Sequence, residues 1–259
     1  MNNPTLDTIN NRTSLRDYSP EGLTEEEENI ILNAAMKAPT AGNQMLYSMI
    51  IIRNQLIKEK LSVLCDNQKF IAKSPFVVAF IADQHKWSDY YRMNQIEEFC
   101  NKNHLNYAPA DTGDIVLAFE DTMIAAQNSV IAAESIGIGS CYIGDFLENY
   151  EEIRALLKLP PETFPLTLLC FGKYKKEHKK VFRNRFKKEF VVSENYYRQL
   201  TDSEYREMFK EKQQSYNSEN KYHAENYAQQ FFAKKAAAPF RHEMNRSVNE
   251  AFKHWNKNE

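Results

Sequence analysis

Apolar positions along this chain fall into a helical period in some stretches and into short β-branched runs in others. Behind Thr24-Glu25-Glu26-Glu27, a capping-box pattern, Ile30, Ile31, Ala34, Ala35 and Ala38 recur at helical spacing until Pro39. Met49-Ile50-Ile51-Ile52, within Tyr47 to Arg53, predicts a buried strand. Gln55 to Cys65 predicts a helix, and Phe76 to Ile81, within Pro75 to Ala82, predicts a second buried strand. Asp114 to Ile136 is rich in Ala and Ile and nearly free of charge, so a helix there should run through the core, with Gly137 and Gly139 stopping it. Cys141-Tyr142-Ile143 predicts a third strand, Tyr150 to Leu157 a helix closed by Pro160-Pro161, and Leu166 to Phe171 a fourth strand. From Lys173 to Lys188 the chain is strongly basic; after Ser193 it is polar, rich in Tyr and Lys, and mostly helical in pattern, its last helix running from about Phe240 to Trp255.

About four strands, alternating irregularly with helices, predict an α+β fold: a mixed or largely antiparallel sheet flanked by helices, with a helical C-terminal extension. Two segments are expected, a core over residues 1–192 and an extension over 193–259 that packs on the core or on a second subunit, because the tail has too few apolar residues for a core of its own. The 259 residues suit one or two domains, and the 42% hydrophobic content suffices for a sizeable core. Mean hydropathy is −0.63, polar for a compact enzyme, which agrees with an exposed helical part. A net charge of −2 and a pI near 6.3 argue against general nucleic-acid binding. No stretch reaches the ~18 apolar residues of a membrane span, and the polar start, Met1 to Asn11, has no signal-peptide core. Cys65, Cys100, Cys141 and Cys170 have no CxxC spacing and fit buried free thiols of a reducing compartment, so a cytoplasmic protein is expected.

Candidate chemistry begins with Arg12-Thr13-Ser14-Leu15-Arg16 and, far downstream, Arg183-Asn184-Arg185. Guanidinium groups hold phosphate in two-pronged geometry, and neighbouring hydroxyls complete the oxygen shell. The small-residue loop Ala38 to Gln44 lets a flat ring approach the backbone, with Thr40, Asn43 and Gln44 as polar partners; the same composition also suits an ordinary helix-to-strand connection. Gln68 both donates and accepts, which fits a heterocycle's amide edge as well as a solvated surface. Gly144, after Tyr142-Ile143, would leave a backbone N–H open to a ligand atom, or simply make a turn. Gly137-Ile138-Gly139-Ser140 follows a helix rather than a strand and lacks a third glycine, which rules out a Rossmann fingerprint; these glycines read as helix-end and close-packing residues. The six histidines are scattered without a metal-ligand spacing, and Ser14 has no GxSxG elbow, so neither a metal site nor a hydrolase triad is expected.

In order along residues 8 to 200, these stretches resemble the FMN-dependent nitroreductase family, and most its larger, NADPH-preferring branch. The resemblance is carried by Arg12, Ser14 and Arg16, the loop ending in Gln44, Asn67-Gln68-Lys69, Ile131 to Gly139, Tyr142-Ile143-Gly144, and a basic pair before Val192-Ser193-Glu194-Asn195-Tyr196. It implies a homodimer with FMN at the subunit interface. Arg12, Thr13, Ser14, Arg183 and Arg185 would surround the phosphate, and Arg16 would lie nearer the pyrimidine end of the ring. Thr40, Asn43 and Gln44 would line the ring or ribityl chain, Gln68 would meet the pyrimidine edge, and Tyr142, Ile143 and Gly144 would approach N5 by backbone. It further implies ping-pong hydride transfer through flavin N5 from NADH or NADPH to a nitroaromatic, quinone or flavin acceptor, with no catalytic side chain from the protein.

Two departures stand out. Asp145 occupies a position where a second glycine is common, and the tail after Ser215 lacks an Arg-rich loop, leaving the donor open between NADH and NADPH. These departures motivate an alternative, an FMN storage or sensor protein with weak turnover. A third reading, a helical module docking acidic partners through Lys173 to Lys188, leaves the core motifs unexplained.

Overall fold

The structure, a computed structural model, describes residues 3–255. Its sheet is antiparallel throughout: β1 (Tyr47–Ile51), β2 (Phe76–Asp83), β3 (Ile138–Ile143) and β4 (Thr163–Lys173) lie in the order β1-β2-β4-β3. The expected α+β architecture is therefore observed. β2 is buried at every residue, as its unbroken apolar run requires of a central strand. Val77, Ala79 and Ile81 pack on one face with Leu61, Ile71, Phe146 and Ile153; Phe76, Val78 and Phe80 pack on the other with Ile31, Ala35 and Val130. Side chains of a strand alternate between faces, so one run of sequence supplies both cores. Register slips between Phe80 and Ile81, where Pro165 of β4 enters without an N–H to give.

Among the described residues the helices are α1 (Pro4–Asn11), α2 (Glu25–Met36), α3 (Gln55–Leu64), α4 (Lys69–Lys73), α5 (His85–Met93), α6 (Ile96–Lys102), α7 (Thr112–Ser135), α8 (Tyr150–Leu157), α9 (Asp202–Met208), α10 (Lys210–Gln214), α11 (Tyr227–Phe231) and α12 (Pro239–Trp255). The predicted capping box opens α2: Thr24 Oγ1 accepts from Glu27 N at 3.2 Å, and Glu27 Oε2 accepts from Thr24 N at 2.7 Å. β3 and β4 are longer than their apolar runs. Gly139, expected to help stop α7, lies inside β3, whereas Gly137 (φ +79°) does end the helix in a left-handed turn. The thiols of Cys65, Cys100, Cys141 and Cys170 are buried and free.

α7 corrects one expectation. By length and composition it is a helix able to cross a membrane, with a mean hydropathy of 1.2 over its most apolar 18 residues. Here Ile115, Ala118, Ala125, Ala126, Val130 and Ala133 are buried within the protein's own core. Its other face leaves Val116, Leu117, Met123 and Ile124 exposed.

The described chain divides into two compact units: residues up to Lys179 together with those from Glu243 onward, and Lys180–His242. In the first, α12 buries Ser247, Ala251 and Trp255. Phe252 and Phe119 stack around Phe164, the Phe119 and Phe164 rings 4.7 Å apart, and Ser247 Oγ accepts from Tyr150 N at 2.8 Å. The second unit carries α9, α10 and α11, none with a buried residue.

Outside β3 lies an extended strap, residues 12–16. Ser14 forms a parallel bridge to Ser140, and Leu15 N donates to Ser140 O at 2.9 Å. Leu15 is fully buried, and a Cβ on Gly139 would sit 2.6 Å from its Cδ2. Gly139→Ala is therefore expected to destabilise the fold by about 1–3 kcal/mol, measured by chemical denaturation, and to loosen the strap, seen as faster amide exchange at Leu15. Unchanged exchange there counts against this packing.

Candidate functional site

The strap has the period of a strand. Thr13 and Leu15 point inward and are buried; Arg12, Ser14 and Arg16 point the other way, Arg12 half-buried and the other two exposed. An Arg-x-Ser-x-Arg spacing thus becomes one polar face. Beside it lies Cys141, whose thiol burial pushes up while Arg16, Ser14 and Arg12 pull it down. Burial likewise drives the Tyr142 phenol up, against the pull of Arg12. The Arg16 guanidinium lies 5.8 Å from the centre of the Phe70 ring on α4. Two cations and a hydroxyl on one edge, with no ion pair to Arg12 or Arg16 among the described residues, fit a dianionic phosphate. Thr13 Oγ1 is buried without a hydrogen-bond partner.

At the carboxyl end of β3 the chain turns through Gly144–Leu147. Gly144 is exposed, and Ile143 keeps its side chain in the core, leaving only its backbone for a ligand. The Tyr142 hydroxyl donates to Gln127 Oε1 at 3.2 Å. Gln68, just before α4, donates through Nε2 to Cys65 O at 3.0 Å and to Asp145 Oδ2 at 2.6 Å. Arg12, Ser14, Arg16, Gln68 and Gly144 are therefore brought to one edge of the sheet.

Thr40, Asn43 and Gln44 are elsewhere. Their loop enters β1, the opposite edge strand. Gly42, Asn43 and Met45 all have φ between 52° and 57°, a left-handed conformation that is costly for a bulky side chain such as Met. Asp121, buried on α7, holds the loop in that shape: Oδ1 accepts from Ala41 N at 2.9 Å and Oδ2 from Leu46 N at 3.1 Å. Thr40 Oγ1 accepts from Met45 N, and Gln44 O accepts from Trp87 Nε1. Gln44 also lines a cavity of about 630 Å³ with Gln84, Tyr91, Arg92, Tyr107 and Glu162. Arg183 and Arg185 belong to the second unit, where they line a cavity of about 560 Å³ with Lys187, Lys210 and Lys212.

Sequence reading missed two residues. Asp121 was signalled by being an acid in the middle of an apolar helix. Glu148 had no signal at all: it is 5% exposed, and its Oε1 is buried without a hydrogen-bond partner. Burial, then the charge of Asp145 and a hydrogen bond to it, then Asp66 and Glu243, push the Glu148 carboxyl up to about 8.

With this geometry in place, comparison with known proteins is direct. The sequence profile of the nitroreductase family matches residues 9–173, and the chain belongs to that family. It is 33% identical to the FMN reductase (NADPH) of Bacillus subtilis over 202 residues, covering 78% of this chain and 77% of that protein. It is 30% identical over 199 residues to the oxygen-insensitive NADPH nitroreductase of Salmonella typhimurium, covering 77% of each. Among solved structures, NfrA1 of B. megaterium superposes with a TM-score of 0.80 at 28% identity, over 98% of this chain and all of that one. The NADPH:FMN oxidoreductase of Vibrio harveyi superposes with a TM-score of 0.77 at 22% identity over 96% of this chain and 98% of that one, a likeness of fold.

Two outcomes follow. Asp121→Ala strands the backbone N–H groups of Ala41 and Leu46 and is expected to cost about 2–6 kcal/mol, at 1–3 kcal/mol for each donor left unpaired; equilibrium unfolding measures this, and a loss below 1 kcal/mol (roughly one ordinary hydrogen bond) contradicts it. Glu148 titrates near 4.5 when unfolded and near 8 when folded. Between these values the folded chain holds a proton the unfolded chain releases, so this contribution is full below pH 4.5 and is lost as pH rises to about 8. Melting temperature should fall across that window, and Glu148→Gln should flatten the fall.

Proposed function

We propose that this chain is an FMN-dependent NAD(P)H oxidoreductase that works as a homodimer with FMN at the subunit interface, by a ping-pong reaction with nitroaromatic, quinone or flavin acceptors. The observation carrying this reading is the Arg-x-Ser-x-Arg face, without an ion pair among the described residues, beside an open Gly144 turn. Arg12, Ser14 and Arg16 would bind phosphate and the pyrimidine end, and Arg183 and Arg185 remain proposed phosphate ligands. Bound FMN would supply the hydride chemistry, and the residues around it position the ring and set its field. A cation such as Arg16 near the pyrimidine favours the charge that reduction brings.

The dimer is supported by sheet order. Strap and loop flank opposite edges, and β1 and β3 alone are three strand spacings apart, about 14 Å. Helices cover both faces between them. A flavin seated on the strap of one subunit meets Thr40, Asn43 and Gln44 when the partner supplies that loop. The exposed apolar face of α7 (Val116, Leu117, Met123, Ile124), with Leu6 and Ile9 of α1 exposed as well, is a surface of the kind subunits cover. The B. subtilis and S. typhimurium relatives are named for NADPH, and NADPH or NADH is the proposed donor. A cytoplasmic location fits the free, buried thiols.

The purified protein should be yellow, and each nicotinamide should bleach it anaerobically. Double-reciprocal plots should be parallel; intersecting lines contradict ping-pong turnover. Arg12→Ala should weaken FMN binding about ten-fold or more, the worth of one charge-assisted hydrogen bond. Asp145, beside Gly144, favours the storage or sensor reading if its charge opposes reduction. Stopped-flow mixing decides: bleaching within seconds marks an enzyme, and a flavin that stays oxidised marks a store.

A further inference from the structure

Asp145 is not among the residues proposed to hold the flavin, yet it is tied to Gln68. A primary amide nitrogen carries two hydrogens, and Gln68 Nε2 spends both, on Cys65 O at 3.0 Å and on Asp145 Oδ2 at 2.6 Å. Turning the carboxamide over would set its oxygen against a carbonyl oxygen and a carboxyl oxygen, three acceptors with no proton among them. Gln68 is therefore fixed with only its Oε1 uncommitted, and it meets a ligand as an acceptor.

Glu148 stands behind Asp145 in the same turn, its backbone N donating to Asp145 O at 3.1 Å. Its side chain is buried, and the charges that act on it most are acidic. These are Asp145 from its own turn, Asp66 from the connection between α3 and α4, Glu243 from α12, and the Cys65 thiol at the end of α3. Arg246 of α12, the residue that pairs with Glu243, is committed to Glu151 and Glu243, at 2.8–2.9 Å. A buried carboxyl with no ion pair among the described residues stays neutral by keeping its proton.

We infer that Glu148 and Asp145 share one proton, and that this carboxyl pair holds the Gln68 oxygen toward an imide N–H of the bound flavin, making Glu148 a positioning residue. The positioning role rests on the reading of Gln68 as a pyrimidine contact. No proton passes to the ligand: it stays between the two carboxyl groups. When it is lost, two adjacent carboxylates repel, Asp145 leaves Gln68, and the carboxamide is free to turn the wrong way.

The test has two arms on the full-length protein. In pH-difference infrared spectra, taken before and after loading with FMN, a protonated-carboxyl stretch is expected to vanish as pH rises through about 8. It should be absent in Glu148→Gln and vanish at lower pH in Asp145→Asn, which removes the charge holding the proton. In the second arm, FMN affinity is measured by fluorescence quenching from pH 6 to 9. Wild type is expected to weaken about five-fold across the transition, the loss of one ordinary hydrogen bond. Glu148→Gln, which donates but cannot ionise, should show no such inflection. Absence of the infrared band overturns the shared proton. A band without an affinity inflection, or an inflection that persists in Glu148→Gln, overturns the positioning role. A wild type that takes up no FMN at any pH sinks the functional reading and the positioning role together, while the infrared band still decides whether the carboxyl pair exists.

Discussion

One parallel bridge at the edge of the sheet orders the candidate site. Leu15 N donates to Ser140 O, and the Leu15 side chain fills the space that Gly139 leaves empty. That single anchor turns five residues of extended chain into an added edge strand. Alternation then does the rest: two residues go to the core, and two guanidinium groups and a hydroxyl go to the ligand side. Because the strap runs parallel to β3, Arg16 ends near the Gly144 turn and the α4 segment that carries Gln68 and Phe70. Separate stretches of sequence become one polar edge, with Arg16 over the Phe70 ring and Gln68 tied to Asp145.

Much of the architecture was legible in the amino-acid order because it depends on local rules. β1, β2 and β4 announce themselves as β-branched or aromatic runs, and α2 by the reciprocal hydrogen bonds of Thr24 and Glu27. α5 and α6 were not legible, since their sequences are polar and no residue of α5 is buried. The strap could be suspected from residue type, but not that it forms a strand, because its partner lies 126 positions away at Ser140. The same holds for Gln68 and Asp145, separated by 77 positions. Asp145 looked like a bare charge beside a ligand; in place it is the acceptor that orients an amide. Distance along the chain, rather than weak local preference, is what hid these pairs.

Asp121 shows how the two edges of the sheet are governed from one helix. α7 packs against β2, β3 and the entry to β1, and its buried acid holds the Gly42–Met45 loop in a shape the loop would not keep alone. Stability and site geometry are thus the same quantity at this position, and a change in the core is felt where a ligand would be touched.

The sheet order carries a consequence for how the protein comes into being. β1 waits for β2, β2 for β4, β3 for β4, and the amino-terminal strap for β3, so no strand here finds its partner in a short hairpin. Contacts of such long separation fold slowly, since chain must be closed into loops before any pairing rewards it. During synthesis the strap must wait, its cationic face unformed, until β3 and its partner β4 (Thr163–Lys173) have been made. Until β4 is made the nascent chain carries the apolar α7 without its full sheet, and any demand on chaperones falls there.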